Sequence, residues 1–220
     1  LQDKTGIKVV QGYGMTEASP LTHSQPADPA LQRIDSVGMP IHNTEQKIVD
    51  IETGEHELPV GEDGEIIIRG PQIMQGYWKA PEETARALRN GWLYTGDIGH
   101  VDADGYTYIV DRKKEMIKYK GFGIAPAELE SLLMEHPAVM DSAVIGIPDD
   151  EAGELPKGFV VIRQGHTITP DEILAFANGK LAGYKKIHAI EFIDAIPKVA
   201  SGKILRRELK EREKALRAGQ

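Results

Sequence analysis

The sequence predicts an α+β protein, with a mostly β, barrel-like first half followed by a small unit in which strands and helices alternate. Three observations carry this. Short β-branched runs bounded by Gly, Asp or Pro fill the first half. Past Asp111, leucines recur at helical spacing between further apolar runs. A Thr169-Pro170-Asp171-Glu172 capping signature then opens another helix in that part.

Taken in order, residues 7–10 form a short apolar run leading to Gly12-Tyr13-Gly14, glycines that permit sharp turns beside a ligand. Residues 20–45 hold Pro20, Pro26, Pro29, Gly38 and Pro40 and read as loop. Residues 47–51, 65–69 and 106–110 read as strands, with a hairpin turn at Asp102-Ala103-Asp104-Gly105. Pro81 opens a short helix over 81–89. In the second part, helix 126–136 precedes strands 141–147 and 158–163. The capped helix from 169, a strand over 189–193 and a charged helix over 203–217 complete it. The boundary falls near residues 111–114, giving domains 1–112 and 113–220.

Composition limits the function classes. With 220 residues and 40% hydrophobic content, the chain can bury a core. No apolar run approaches the roughly 18 residues of a membrane span, and the start has no apolar signal core. The first residue is Leu1 rather than Met, so a processed or truncated chain is expected. Zero Cys excludes disulfides, a thiolate nucleophile and thiolate metal sites. A net charge of −8 argues against nucleic acid as a partner. A reducing, cytoplasmic location is the default expectation.

Four segments stand out chemically. Gln11-Gly12-Tyr13-Gly14-Met15-Thr16-Glu17 joins glycines to a hydroxyl and a carboxylate, oxygen donors suited to Mg²⁺ beside phosphate; taken alone the signal is weak, and a Gly-rich strand exit is more often just a turn. Tyr94-Thr95-Gly96-Asp97 offers a carboxylate for a pair of ribose hydroxyls; taken alone, an ordinary loop aspartate is the better reading. Between Asp111 and Gly121 lie five cations, Arg112, Lys113, Lys114, Lys118 and Lys120, which alone suit a solvated strand edge. Lys203, after Ser201-Gly202, is either a solvated helix start or a cation free to swing into an anionic site. A cation at a helix start opposes the macrodipole, which tilts the balance toward function.

The order and spacing of these segments resemble the adenylate-forming superfamily, within it the group of 4-coumarate–CoA ligases, luciferases and fatty-acyl–CoA ligases. The resemblance runs from about Gly6 to Leu209. Its other carriers are Ser36-Val37-Gly38-Met39-Pro40, Gly64-Glu65-Ile66-Ile67-Ile68-Arg69-Gly70, Ala125-Pro126-Ala127-Glu128-Leu129-Glu130 and the stretch 197–207.

The resemblance implies that residues 1–112 are the C-terminal part of the large AMP-binding domain and 113–220 the small mobile lid domain. It implies ATP, Mg²⁺ and coenzyme A as cofactors, a fatty or aryl carboxylic acid as substrate, and thioester synthesis through an acyl-adenylate. By match, Lys203 is the catalytic lysine. The cofactor-binding residues are Gln11, Gly12, Thr16, Asp97, Arg112, Lys114, Lys118, Lys120 and Gly121, and the metal ligands are Thr16 and Glu17. Lys114 falls at the family's hinge. The acyl pocket would touch Gly12, Gly14 and Pro20. Gly123 departs from the Gln usual in plant ligases.

The family's Ser/Thr/Gly-rich phosphate loop lies upstream of the glycine segment and is not in these residues. A C-terminal portion, inactive alone, is therefore expected, with apolar surface exposed at Ile7, Val9 and Ile66–Ile68. The alternatives are an adenylation domain loading a carrier protein, a luciferase-like oxidase, and an inactive scaffold or binding fragment.

Overall fold

The computed structural model describes residues 6, 10–200 and 202–218. The run expected over 7–10 lies, except for Val10, outside the described residues, as do Ile7, Val9 and Ser201. The chain divides into two compact units, Leu1–Lys113 and Lys114–Gln220. The class is α+β, mostly sheet, with a curled half-barrel sheet.

The first unit begins with an antiparallel three-stranded sheet, β1 (Gly12–Gly14), β2 (Leu21–Ser24) and β3 (Met39–Pro40). Two of these strands lie in the stretch expected to be loop. Pro20 and Pro26 flank β2 rather than interrupt it, and Pro40 sits on an edge strand, where its missing N–H costs no ladder bond. A five-stranded sheet follows, ordered β4 (Glu45–Val49), β5 (Gly64–Arg69), β7 (Trp92–Val101), β6 (Leu88–Arg89), with β8 (Thr107–Arg112) on β7. Helix α1 spans Pro81–Ala87. Strand β4 ends two residues earlier than expected because the Asp50 carboxylate captures the amides of Thr53, Glu55 and His56. Ile66, Ile67 and Ile68, expected at an exposed surface, are at most 3% exposed, and Ile66 and Ile68 pack with Ala18, Ile48 and Leu93.

The second unit opens with a hairpin of β9 (Ile117–Tyr119) and β10 (Phe122–Ile124), followed by α2 (Pro126–Met134). Strands β11 (Val139–Asp149) and β12 (Gly153–Ile162) pair antiparallel, α3 (Pro170–Asn178) follows, and β13 (Ala189–Phe192) runs parallel to β12. Helix α4 spans Arg206–Ala218. Period-two alternation splits the core between the two sheet faces. Val139, Val144 and Val160 face Leu129, Leu133, Ile173 and Ala177, while Ala143, Ile145, Phe159 and Val161 meet Ile196 and Leu209. The Thr169–Glu172 capping box forms as expected. It is worth about 1 kcal/mol, less than the roughly 1.5–3 kcal/mol from burying Ile173 alone, so packing holds α3 and the cap sets where it starts.

Candidate functional site

In the first unit the site centres on Asp97. The residue lies inside the ten-residue strand β7, in register with Arg112 of β8, and is 5% exposed. This overturns its reading as a loop aspartate. The strand is kinked at Gly96, whose φ of 71° only glycine adopts without strain. Thr95 Oγ1 donates to the Ile66 carbonyl at 2.7 Å and accepts the Asp97 amide at 3.1 Å, fixing the kink from both sides.

The Asp97 carboxylate has two partners. Tyr13 Oη donates to Oδ2 at 2.6 Å, and Arg112 Nε lies 3.2 Å from Oδ1. Burial, and then the Asp97 charge, push the Tyr13 phenol well above its ordinary value of 10.0, so it stays a proton donor. The Tyr13 ring centroid lies 5.5 Å from that of His23, a fully buried histidine. His23 bonds to Gln46 Oε1 at 2.6 Å and Thr22 Oγ1 at 2.9 Å. Burial lowers its pKa below 6.5 and keeps the imidazole neutral.

Gln11, Gly12 and Gly14 lie along or beside β1. Here the glycines serve strand packing rather than sharp turns. A Cβ at Gly14 would stand 2.0 Å from the Pro20 carbonyl oxygen, and one at Gly12 would stand 3.1 Å from that of His23. With its amide nitrogen turned inward, Gln11 donates to the Ser36 and Ile34 carbonyls at 2.8 Å. Thr16 and Glu17 follow on a 3₁₀ turn, Thr16–Ala18, anchored by buried Ala18. Glu17 Oε1 accepts from Tyr77 Oη at 2.8 Å, and its carbonyl accepts the Met74 amide at 2.8 Å. Among the described residues no group of three His, Cys, Asp or Glu converges as a metal site.

In the second unit Lys114 is exposed on a turn. Lys118, Lys120 and Gly121 share the β9–β10 hairpin, whose turn has φ of 47° at Lys120 and 85° at Gly121. The Lys118 amide donates to Glu154 Oε2 at 2.8 Å, and the Lys120 amide to the Ala152 carbonyl at 2.8 Å. Lys203 is exposed, but not on a helix as expected. It closes a turn in which Val199 N donates to Lys203 O at 3.0 Å, with Gly202 at φ 86°. Helix α4 starts only at Arg206, so the macrodipole argument for Lys203 lapses.

Structure thus brings Gln11, Gly12, Asp97 and Arg112 into one region of the first unit through Tyr13, with Thr16 and Glu17 on the next turn. Sequence reading quoted Tyr13 and Glu65 but gave neither a role, and it passed over Tyr77 and His23. Tyr13 and Asp97 are 84 positions apart, and no local spacing signals such a bond.

Residues 1–78 match the AMP-binding enzyme family and residues 128–203 match the AMP-binding enzyme C-terminal domain. The chain is 51% identical over 207–208 residues to two plant ligases, 4-coumarate–CoA ligase 2 of Nicotiana tabacum and 4-coumarate–CoA ligase 1 of Glycine max; the match covers 71% of the latter and 92% of this chain. It is 48% identical to the long-chain-fatty-acid–CoA ligase of Bacillus subtilis over 95% of this chain and 37% of that enzyme. ATP-bound MatB from Rhodopseudomonas palustris superposes with a TM-score of 0.89 at 36% identity, covering 98% of this chain and 42% of that one. Against other plant 4-coumarate–CoA ligases the chain spans 38% of their length. The chain belongs to the adenylate-forming family of AMP-binding enzymes. Among the described residues no helix is long and apolar enough to cross a membrane.

Proposed function

We propose that the protein carrying this chain is an ATP-dependent acyl-CoA ligase acting on a fatty or aryl carboxylic acid. The observation that carries the reading is the buried Asp97 carboxylate between Tyr13 and Arg112, in a chain half-identical to a 4-coumarate–CoA ligase. In the first step a substrate carboxylate oxygen attacks the α-phosphorus of ATP, forming an acyl-adenylate as pyrophosphate leaves. In the second, the sulfur of coenzyme A attacks the acyl carbon and AMP leaves.

Asp97 accepts hydrogen bonds from the ribose hydroxyls, Arg112 reaches the ribose, and Gln11 and Gly12 line the adenylate. Lys203 places a cation where charge develops at the α-phosphate, the kind of stabilisation that dominates such chemistry. Lys118, Lys120 and Gly121 line the coenzyme A path, and Lys114 is the hinge between residues 1–112 and the lid. The Thr16 hydroxyl and Glu17 carboxylate fit Mg²⁺, being hard oxygen donors too few to hold it without substrate phosphate. Bound there, Mg²⁺ supplies neutralisation of phosphate charge.

The test is acid-dependent ATP–pyrophosphate exchange with 4-coumarate and a long-chain fatty acid, followed by thioester formation on addition of coenzyme A. Absence of exchange with every carboxylic acid tried would sink the reading.

A further inference from the structure

We infer that Tyr13 is a positioning residue that presents Asp97 to a vicinal diol and so sets selectivity for ribose over deoxyribose nucleotides. The inference rests on the proposed nucleotide reading of Asp97. A carboxylate has about four acceptor positions, and an exposed one rotates freely among them. Asp97 is instead buried, with Tyr13 Oη on Oδ2 and Arg112 Nε beside Oδ1. One position on each oxygen is thereby occupied, and one on each remains for the two hydroxyls of a ribose.

Tyr13 is itself immobilised. Its carbonyl accepts from Thr22 Oγ1 at 3.1 Å, its ring leans on His23, and β1–β2 pairing places it opposite His23. The phenol cannot ionise near neutrality, so the bond to Asp97 always runs from phenol to carboxylate. Arg112 alone does not fix the carboxylate plane, because its side chain is 45% exposed and its contact is the longer one. Removing the phenol oxygen frees Asp97 to turn toward Arg112, which withdraws an acceptor from the diol while leaving the aromatic ring in place.

The experiment titrates the 220-residue chain with AMP and with 2′,3′-dideoxy-AMP by calorimetry, for the native sequence, Tyr13→Phe, Asp97→Asn and the double variant. Tyr13→Phe is expected to weaken AMP about tenfold, as loss of a charge-assisted bond does, and to leave dideoxy-AMP unmoved. In the Asp97→Asn background it is expected to change the ratio no further. If Tyr13→Phe weakens both nucleotides equally, or neither, the positioning role is overturned while the nucleotide reading stands. If the native chain does not prefer AMP to its dideoxy analogue, the reading of Asp97 falls and the inference with it. A measurement that needs no variant follows the tyrosine ¹³Cζ resonance of Tyr13 in the native chain. Its shift is expected to persist when AMP binds, and a change to that of a solvent-bonded phenol would overturn the inference.

Discussion

Glu65 grips Lys113 and Gly96 at once: its Oε2 accepts from Lys113 Nζ at 2.7 Å, and its Oε1 accepts the Gly96 amide at 3.2 Å. The Lys113 amide donates to the Gly96 carbonyl at 2.8 Å, closing the clasp. Gly96 precedes Asp97 and Lys113 follows Arg112, so the clasp fixes the backbone on the far side of each member of the Asp97–Arg112 pair. It also ties down the last residue of the first unit.

The clasp is asymmetric in burial, which makes its two halves unequal under mutation. The Glu65 side chain is 4% exposed and that of Lys113 is 32% exposed. Lys113→Met strands a buried carboxylate and is expected to cost about 2–3 kcal/mol, below the range for fully buried pairs because water reaches the lysine side. Glu65→Gln leaves a lysine that can turn to solvent and an amide oxygen that still accepts from Gly96, at a cost of about 1 kcal/mol. Urea unfolding of both variants measures the order, and a larger loss for Glu65→Gln would contradict it.

His23 gives the stability a pH dependence. Burial holds its pKa below the ordinary 6.5, against a smaller upward pull from the Gln46 bond. Below pH 6.5 the unfolded chain therefore takes up a proton that the folded chain refuses until its own lower pKa is passed. Stability is expected to fall across that window as the medium is acidified, by at most about 1.4 kcal/mol per pH unit, and to be fully present above it. His23→Gln is expected to flatten this limb. Unfolding midpoints at pH 7.5, 6.5 and 5.5 for both proteins decide it, and parallel slopes would show that His23 is not the titrating group.

What was legible in the sequence tracks the range of the forces involved. Elements set by local signals came through: the Thr169 cap, the Asp102–Gly105 turn with Gly105 at φ 87°, and the leucine face of α2. Elements set by pairing partners did not. Strand β2 hides between prolines and exists because β1 and β3 flank it, and β7 is held by three neighbouring strands. Motif order is what proposes Asp97, Arg112 and Lys203 as site residues, whereas Tyr13 on Asp97, Tyr77 on Glu17 and Glu65 on Lys113 join residues 48–84 positions apart. A hydrogen bond of that span leaves no periodicity to read.

Lys203 carries the sharpest kinetic prediction. It is exposed on a turn held by backbone bonds, so Lys203→Ala is not expected to disturb the fold. If its cation acts only on charge building at the α-phosphate, the variant loses about 10²–10³ in pyrophosphate release, the scale of deleting one preorganised charge-stabilising donor. Thioester formation from supplied acyl-adenylate is expected to stay near the native rate. Comparable losses in both half-reactions would remove Lys203 from its assigned step.

Lys114→Pro separates a hinge from a plain surface lysine. Lys113 is fixed by the Glu65 clasp, and Lys114 is the first residue of the second unit, exposed on a turn. If Lys114 is the hinge, rotation of that unit falls on its dihedrals rather than on those before it. Proline fixes φ near −65° and removes the backbone donor, so it restricts that rotation while leaving the Asp97 region untouched. If adenylation precedes the turn and thiol attack follows it, as the proposed function requires, pyrophosphate release is expected to survive better than thioester formation. A solvated lysine with no hinge role would instead lose stability on substitution and depress both steps alike. Both products are measured on the same preparation, with the unfolding midpoint as control, and normal thioester formation in the variant would exclude Lys114 as the hinge.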